Sequence, residues 1–211
     1  MYNQPTATNA TALPIVGVVL AGGKSTRLGV DKANLHLANS NITLLEHLTT
    51  LLASVCPSVL VSGRSVPFAP HVADSPSGCG PLGGIIAALQ ACNGAACCVI
   101  SCDLPKLNQR ILTKLIAAHN NKPPNALVTM FTSPTGKAEP LVAVYEVGAI
   151  PYLQQQVATG YYALNAAIPL FAQQRICYSA NESEAFFNLN TPQDMAKIVN
   201  TTFCPLCYPK E

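Results

Sequence analysis

Apolar residues fall along this chain in two alternating patterns: short unbroken runs, and longer stretches in which they recur every three or four positions. Ile15–Leu20, Ser58–Ser62, Cys97–Ser101 and Ala126–Phe131 are such runs, with Leu141–Tyr145 a further candidate. Apolar runs this short, bounded by Gly, Pro or Asn, read as buried strands. Thr43–Ser54 instead places Leu44, Leu45, Leu48, Leu51 and Leu52 on one stripe, the spacing of an amphipathic helix. Helices are also predicted over Leu82–Ala91, entered through Gly80-Pro81, over Asn108–His119 after Pro105, and over Pro192–Asn200 with its Pro near the first turn. Pro67–Pro81 reads as an irregular loop. This β-α-β-α alternation predicts an α/β fold of three layers, Rossmann-like, with a mostly parallel sheet covered on both faces. Ligands in such sheets sit beyond the carboxyl ends of the strands. The ends of the first strand, at Ala21-Gly22-Gly23, and of the third, at Ser101-Cys102-Asp103, are therefore expected to share one crevice.

Composition sharpens this picture. Apolar residues make up 49% of the 211 positions and charged residues only 10%, so each charge is informative. There are four Asp, and three of them (Asp31, Asp74 and Asp103) sit beside an apolar run or a Gly/Pro-rich turn. A net charge of +2 argues against a broad nucleic-acid-binding face. No apolar run approaches the ~20 residues needed to span a membrane. Met1–Pro14 is polar and lacks the regions of a signal peptide. The expected organisation is a flexible N-terminal extension over 1–13, one domain over 14–203 and a C-terminal tail over 204–211. Nine cysteines, an odd number with several in apolar segments, fit a cytoplasmic protein with free thiols. Cys204 and Cys207 have zinc-ligand spacing but no second pair, so they are read as incidental.

The chemistry concentrates at strand ends. Gly22 and Gly23 open a basic loop in which Lys24, Arg27 and Lys32 fall within nine positions of a chain with 12 Lys and Arg. Glycines after a strand let backbone N–H groups approach an anion, so the loop suits phosphates. It matches neither G-x-x-x-x-G-K-[ST] nor G-x-G-x-x-G. Asp103, at a strand end and followed by Leu104-Pro105, can present Mg²⁺ beside phosphates, although a turn-opening Asp is the plain alternative. Gly78–Gly84 forms a second glycine cluster leading into a helix, suited to tight packing or to a flat base. Asn188 and Asn190 alternate, sharing one face if extended, and Thr191 is a plausible N-cap. Glu139 reads as an exposed residue at a turn. No Ser/His/Asp grouping is visible, which argues against a serine-type hydrolase.

Taken in order, these motifs resemble the MobA-like nucleotidyltransferases. Leu20-Ala21-Gly22-Gly23-x-Ser-x-Arg27-x-Gly29-x-Asp31-Lys32 is similar to that family's signature. Gly80-Pro81-Leu82-x-Gly84, Cys102-Asp103-x-Pro105, Glu139-Pro140-Leu141 and Phe187-Asn188-x-Asn190-Thr191-Pro192 follow in the family's order, from about Val16 to Val199. Leu-Ala-Gly-Gly with Gly-Pro-Leu-x-Gly resembles the guanine-using branch more than the cytidylyl one. The resemblance implies the nucleotidyltransferase variant of the three-layer fold, and transfer of GMP from GTP to molybdopterin with release of pyrophosphate. It implies Mg²⁺ as cofactor, Asp103 as its ligand, and Arg27, Lys32 and Asp103 as the catalytic groups. Leu20, Ala21, Gly22, Gly23, Lys32, Gly63, Asp74, Gly80, Pro81, Gly84 and Asp103 would bind the nucleotide, with Asp74 near the ribose or base. Asn188 and Asn190 would lie near the metal or the pterin phosphate. Two departures stand out. Gly63 replaces a frequent Asn, and Tyr161–Ala167 lacks the usual basic residues, which implies weaker molybdopterin binding or delivery by a cofactor-assembly protein. Another base or acceptor, such as CTP or a sugar phosphate, and a non-catalytic nucleotide-binding role stay open on the residues alone.

Overall fold

The computed structural model describes residues 14–22, 31–37 and 41–198. The N-terminal extension, Gly23, Lys24, Arg27, the Cys204/Cys207 pair and the C-terminal tail lie outside the described residues. Seven strands form one sheet: β1 (Val16–Leu20), β2 (Ser58–Ser62), β3 (His71–Val72), β4 (Cys97–Ser101), β5 (Val128–Thr132), β6 (Ala138–Tyr145) and β7 (Gln173–Cys177). Their spatial order is β3-β2-β1-β4-β6-β5-β7. All neighbours are parallel except β6, which runs antiparallel to both β4 and β5. The expected α/β fold with a mostly parallel sheet is what the chain adopts.

Helices cover both faces, and the strands show why. Along β4, Cys97 and Val99 face one apolar cluster while Cys98 and Ile100 face the other, the period of two that points successive side chains to opposite faces. One cluster takes Leu44, Leu48 and Leu52 of α1 (Leu44–Ala53), Ile111 and Leu112 of α3 (Gln109–Asn120), and Met195 and Ile198 of α6 (Pro192–Ile198). The other takes Leu82, Ile85 and Ile86 of α2 (Pro81–Ala91), Leu153 of α4 (Ile150–Ala158) and Ala167 of the short α5 (Leu164–Ala167). Both faces are thus buried, as continuous apolar strands require.

Helix starts follow local rules. Thr43 caps α1 in a reciprocal capping box with Glu46. Asn108 caps α3 by accepting from the Ile111 N–H at 3.2 Å. Thr191 Oγ1 accepts from the Asp194 N–H at 3.2 Å, with Pro192 opening α6.

Three expectations are corrected. Pro67–Pro81 is not wholly irregular, because His71–Val72 pairs with the end of β2 as an edge strand. The candidate Leu141–Tyr145 strand begins earlier, at Ala138, so Glu139 lies in a strand rather than at an exposed turn; its carboxylate meets Lys137 at 3.3 Å. The region 150–177, without an element in the sequence reading, holds α4, α5 and β7.

Candidate active site

The carboxyl ends of β1 and β4 do share a crevice, a cleft of about 410 Å³. Their registers align Leu20 with Ser101, and the Cys102 N–H extends the pairing by donating to the Leu20 carbonyl at 3.1 Å. Gly22, Lys32, Asp74, Gly80, Pro81, Gly84 and Asp103 line the cleft with Leu20. Since β6 runs antiparallel, its first half lies at this same end and adds Leu141.

One side of the cleft is made by close approach of backbone. A Cβ at Gly22 would lie 2.6 Å from Asp74 Oδ2, and one at Gly84 would lie 2.9 Å from Ser62 Oγ. Gly63 has φ +90°, and a Cβ there would collide with the Gly22 backbone. Gly63 therefore does not line the cleft: it lets the ends of β1 and β2 meet behind it. Ala21 is also buried behind this wall, its N–H donating to the Ser62 carbonyl at 2.8 Å. Asp74 is held from the same direction, with Oδ1 accepting from Ser62 Oγ at 2.9 Å.

The remaining charge gathers around Lys32. Asp31 caps a 3-10 turn, Lys32–Asn34, by accepting from the Ala33 N–H at 3.2 Å. From that turn the Lys32 ammonium donates to Asn190 Oδ1 at 2.7 Å and stands 3.7 Å from Asp103 Oδ2. Three segments distant in sequence thereby converge. The other Asp103 oxygen, Oδ1, is buried and has no hydrogen-bond partner among the described residues. A buried, unmet carboxylate oxygen is costly, and such groups persist where a ligand or ion completes them. A single carboxylate oxygen beside a cleft with room for phosphates fits Mg²⁺, which takes one or two protein carboxylates and otherwise phosphates and water. No cluster of three His, Cys, Asp or Glu side chains occurs among the described residues, so an all-protein cage is not what this site offers.

Cys102 lines the cleft next to Asp103, but burial and then the Asp103 charge push its thiol up to about 11, against the pull of Lys32 and Arg64. It stays protonated at neutral pH and is no nucleophile.

Of the asparagines, Asn190 joins the charged group through Lys32, whereas the Asn188 amide donates to the Phe186 carbonyl at 3.1 Å. Their side chains have different partners. The sequence reading missed Ser62 and Arg64, and it named Ser101 at the crevice end and Leu141 in a family motif without giving either a role. Ser62 and Ser101 had a signal, since each closes an apolar strand with a hydroxyl. Arg64 had none, because its partners Ala21 and Asp31 lie 43 and 33 residues away.

Residues 17–170 match the MobA-like NTP transferase domain, and the chain belongs to that family. It is 33% identical over 193 residues to the probable molybdenum cofactor guanylyltransferase of Chloroflexus aggregans, covering 85% of this chain and 90% of that relative. It is 28% identical over 190 residues to the molybdenum cofactor guanylyltransferase of Syntrophotalea carbinolica, covering 85% and 88% of the two. In fold it is similar to molybdopterin-guanine dinucleotide biosynthesis protein A of Archaeoglobus fulgidus, with a TM-score of 0.68, 23% identity, and 87% of this chain and 96% of that one covered. The 2-C-methyl-D-erythritol 4-phosphate cytidylyltransferase of Thermus thermophilus shares the fold at a TM-score of 0.59 and 15% identity, over 87% and 96%.

Proposed function

Within that family, we propose that this chain is a Mg²⁺-dependent guanylyltransferase that joins GMP from GTP to molybdopterin and releases pyrophosphate. The observation that carries the proposal is the Lys32–Asp103 pair in the glycine-walled cleft, with Asp103 Oδ1 buried and without a hydrogen-bond partner among the described residues. A pure binding site gains nothing from a desolvated carboxylate beside phosphates. A transfer site gains a metal ligand.

The reaction requires a terminal phosphate oxygen of the acceptor to attack the α-phosphorus of GTP. An O–Pα bond forms, the Pα–O bond to the β-phosphate breaks, and pyrophosphate departs with that electron pair. Such transfers rest on positioning and charge stabilisation rather than on a protein nucleophile. Mg²⁺ held by Asp103 would supply charge neutralisation at the phosphates. Lys32 adds a point charge from a turn fixed by Asp31, and Asn190 orients its ammonium. Gly22 gives the phosphates access to backbone at the end of β1. The Asp74 carboxylate, an acceptor steadied by Ser62, suits donors on a ribose or a base edge. Arg27 is assigned to the phosphates on the family signature alone.

The cytoplasm is the proposed location. The described cysteines are free thiols, and among the described residues no helix is long and apolar enough to cross a membrane. Tyr161 is exposed and the Tyr161–Ala167 segment has no basic residue, so the acceptor site is expected to be the weaker half, served by a protein that delivers the pterin. The deciding experiment incubates the protein with Mg²⁺, molybdopterin and each of GTP, CTP, ATP and UTP, and follows pyrophosphate. Release with GTP well above the others is expected. Equal use of CTP would overturn the guanine assignment, and no release with any nucleotide would overturn the transferase reading.

A further inference from the structure

Arg64 follows Gly63 just beyond the carboxyl end of β2, and its guanidinium grips two segments at once. Nε donates to the Ala21 carbonyl at 3.1 Å, Nη1 to Asp31 Oδ2 at 2.8 Å and Nη2 to Asp31 Oδ1 at 3.2 Å. Ala21 immediately precedes Gly22, which lines the cleft. Asp31 caps the turn that presents Lys32. A single planar group therefore fixes the spacing between the β1 end and the lysine that reaches Asp103.

Magnitude argues that this clasp is about geometry more than stability. The Arg64 and Asp31 side chains are 25% and 38% exposed, and ion pairs that open to solvent contribute about 0–1 kcal/mol. A misplacement of about 1 Å in a transfer site, by contrast, can cost up to about a hundredfold in rate. The fork is also chemically specific. A guanidinium can engage both carboxylate oxygens while its Nε reaches a third acceptor, and an ammonium cannot.

We propose that Arg64 is a positioning residue for nucleotidyl transfer, acting through Asp31 to place Lys32 and through Ala21 to place the Gly22 backbone. The inference rests on the guanylyltransferase reading above. Its test compares wild type, Arg64→Lys, Lys32→Ala and the double variant by kcat/KM for GTP, by GTP titration in Mg²⁺ and by thermal melting. Arg64→Lys keeps the charge and removes the fork. It is expected to lower kcat/KM about tenfold while leaving the melting midpoint within a few degrees. Asp31→Asn, which weakens the same clasp from the other side, is expected to do likewise.

In the Lys32→Ala background the further loss from Arg64→Lys is expected to shrink to about twofold or less, because residues acting through one another are not additive. A merely structural role would give the same factor in both backgrounds. Wild-type turnover in Arg64→Lys overturns the clasp, and an undiminished factor in the double variant overturns its action through Lys32. If wild type binds GTP but releases no pyrophosphate, the guanylyltransferase reading fails separately, and the same cycle on GTP affinity decides the clasp. If wild type binds no nucleotide, both fall.

Discussion

Lys32 with Asp103, and Lys122 with Glu146, are built from the same two functional groups at opposite ends of one sheet. Asp103 follows the carboxyl end of β4, whereas Glu146 follows β6 and lies beyond the start of β4, where Tyr145 pairs with Cys97. At the far end the carboxylate shares one oxygen between two partners. Glu146 Oε1 meets His119 Nε2 at 3.2 Å and Lys122 Nζ at 3.2 Å, while His119 Nδ1 lies 3.4 Å from the buried Thr129 hydroxyl. The His119 hydrogen bond, aided by Lys122 and opposed by burial, holds the Glu146 carboxyl below its ordinary value. At the cleft end, Asp103 stands 3.7 Å from its lysine, and its buried Oδ1 has no hydrogen-bond partner among the described residues. The difference lies in how far each carboxylate is satisfied by its surroundings. A satisfied network rigidifies, and an unsatisfied one at a strand end is tolerated where something else completes it.

The hardest test of this contrast is Asp103→Asn. It should lower Mg²⁺-dependent turnover by about a hundredfold to a thousandfold without lowering the melting midpoint, since the buried charge it removes has an oxygen with no partner among the described residues. A lost midpoint with retained turnover would make Asp103 a turn residue. Next, Lys32→Ala should lower kcat/KM about a hundredfold, by analogy with removing one charge-stabilising donor, and raise the GTP KM. Unchanged GTP affinity and turnover would break the assignment.

Glu146→Gln should behave in the opposite way, with turnover at 25 °C unchanged and stability reduced by about 2 kcal/mol, the scale of hydrogen bonds to a charged group. The pH dependence has a definite sign. A carboxyl held below its ordinary 4.5 contributes stability above that pH and loses it as pH falls through the lowered folded value. The gap between wild type and Glu146→Gln in melting midpoint should therefore be full at pH 7 and close in acid below the ordinary value. A gap that persists unchanged there would show that packing, not charge, is what Glu146 supplies. The smallest effect is expected for Gly84→Ala, whose Cβ would press on Ser62 Oγ at 2.9 Å and on Leu20 Cδ2 at 3.0 Å. Strain of about 1 kcal/mol would appear as a roughly fivefold rise in GTP KM. A larger loss confined to stability would place Gly84 with the scaffold rather than with the cleft.

Much of the fold was legible because β1, β2, β4 and β5 are covered on both faces and so read as unbroken apolar runs. β7 was not. Gln173-Gln174-Arg175-Ile176-Cys177 is a half-exposed edge strand that pairs only with β5, and nothing in its composition separates it from a loop. β3 is too short to carry a period, and the direction of β6 leaves no mark in an apolar run. At the cleft, Gly22 and Asp103 were legible because strand ends in such a sheet must converge, and Lys32 because it stands in the basic loop after the first strand.

What the sequence by itself determined, then, is local: which runs are strands, where helices begin, and which residues with phosphate or metal chemistry end up at a strand's carboxyl end. Those features depend on side-chain period, caps and glycine, all read within a few positions. Only the tertiary structure decided the rest. It moved Gly63 and Ala21 from the cleft to the wall behind it. It set Lys32 between Asn190 and Asp103, and it joined Arg64 to Ala21 and Asp31. Each of these depends on how close two distant backbones come, a quantity fixed by packing across the sheet and carried by no single stretch of the chain.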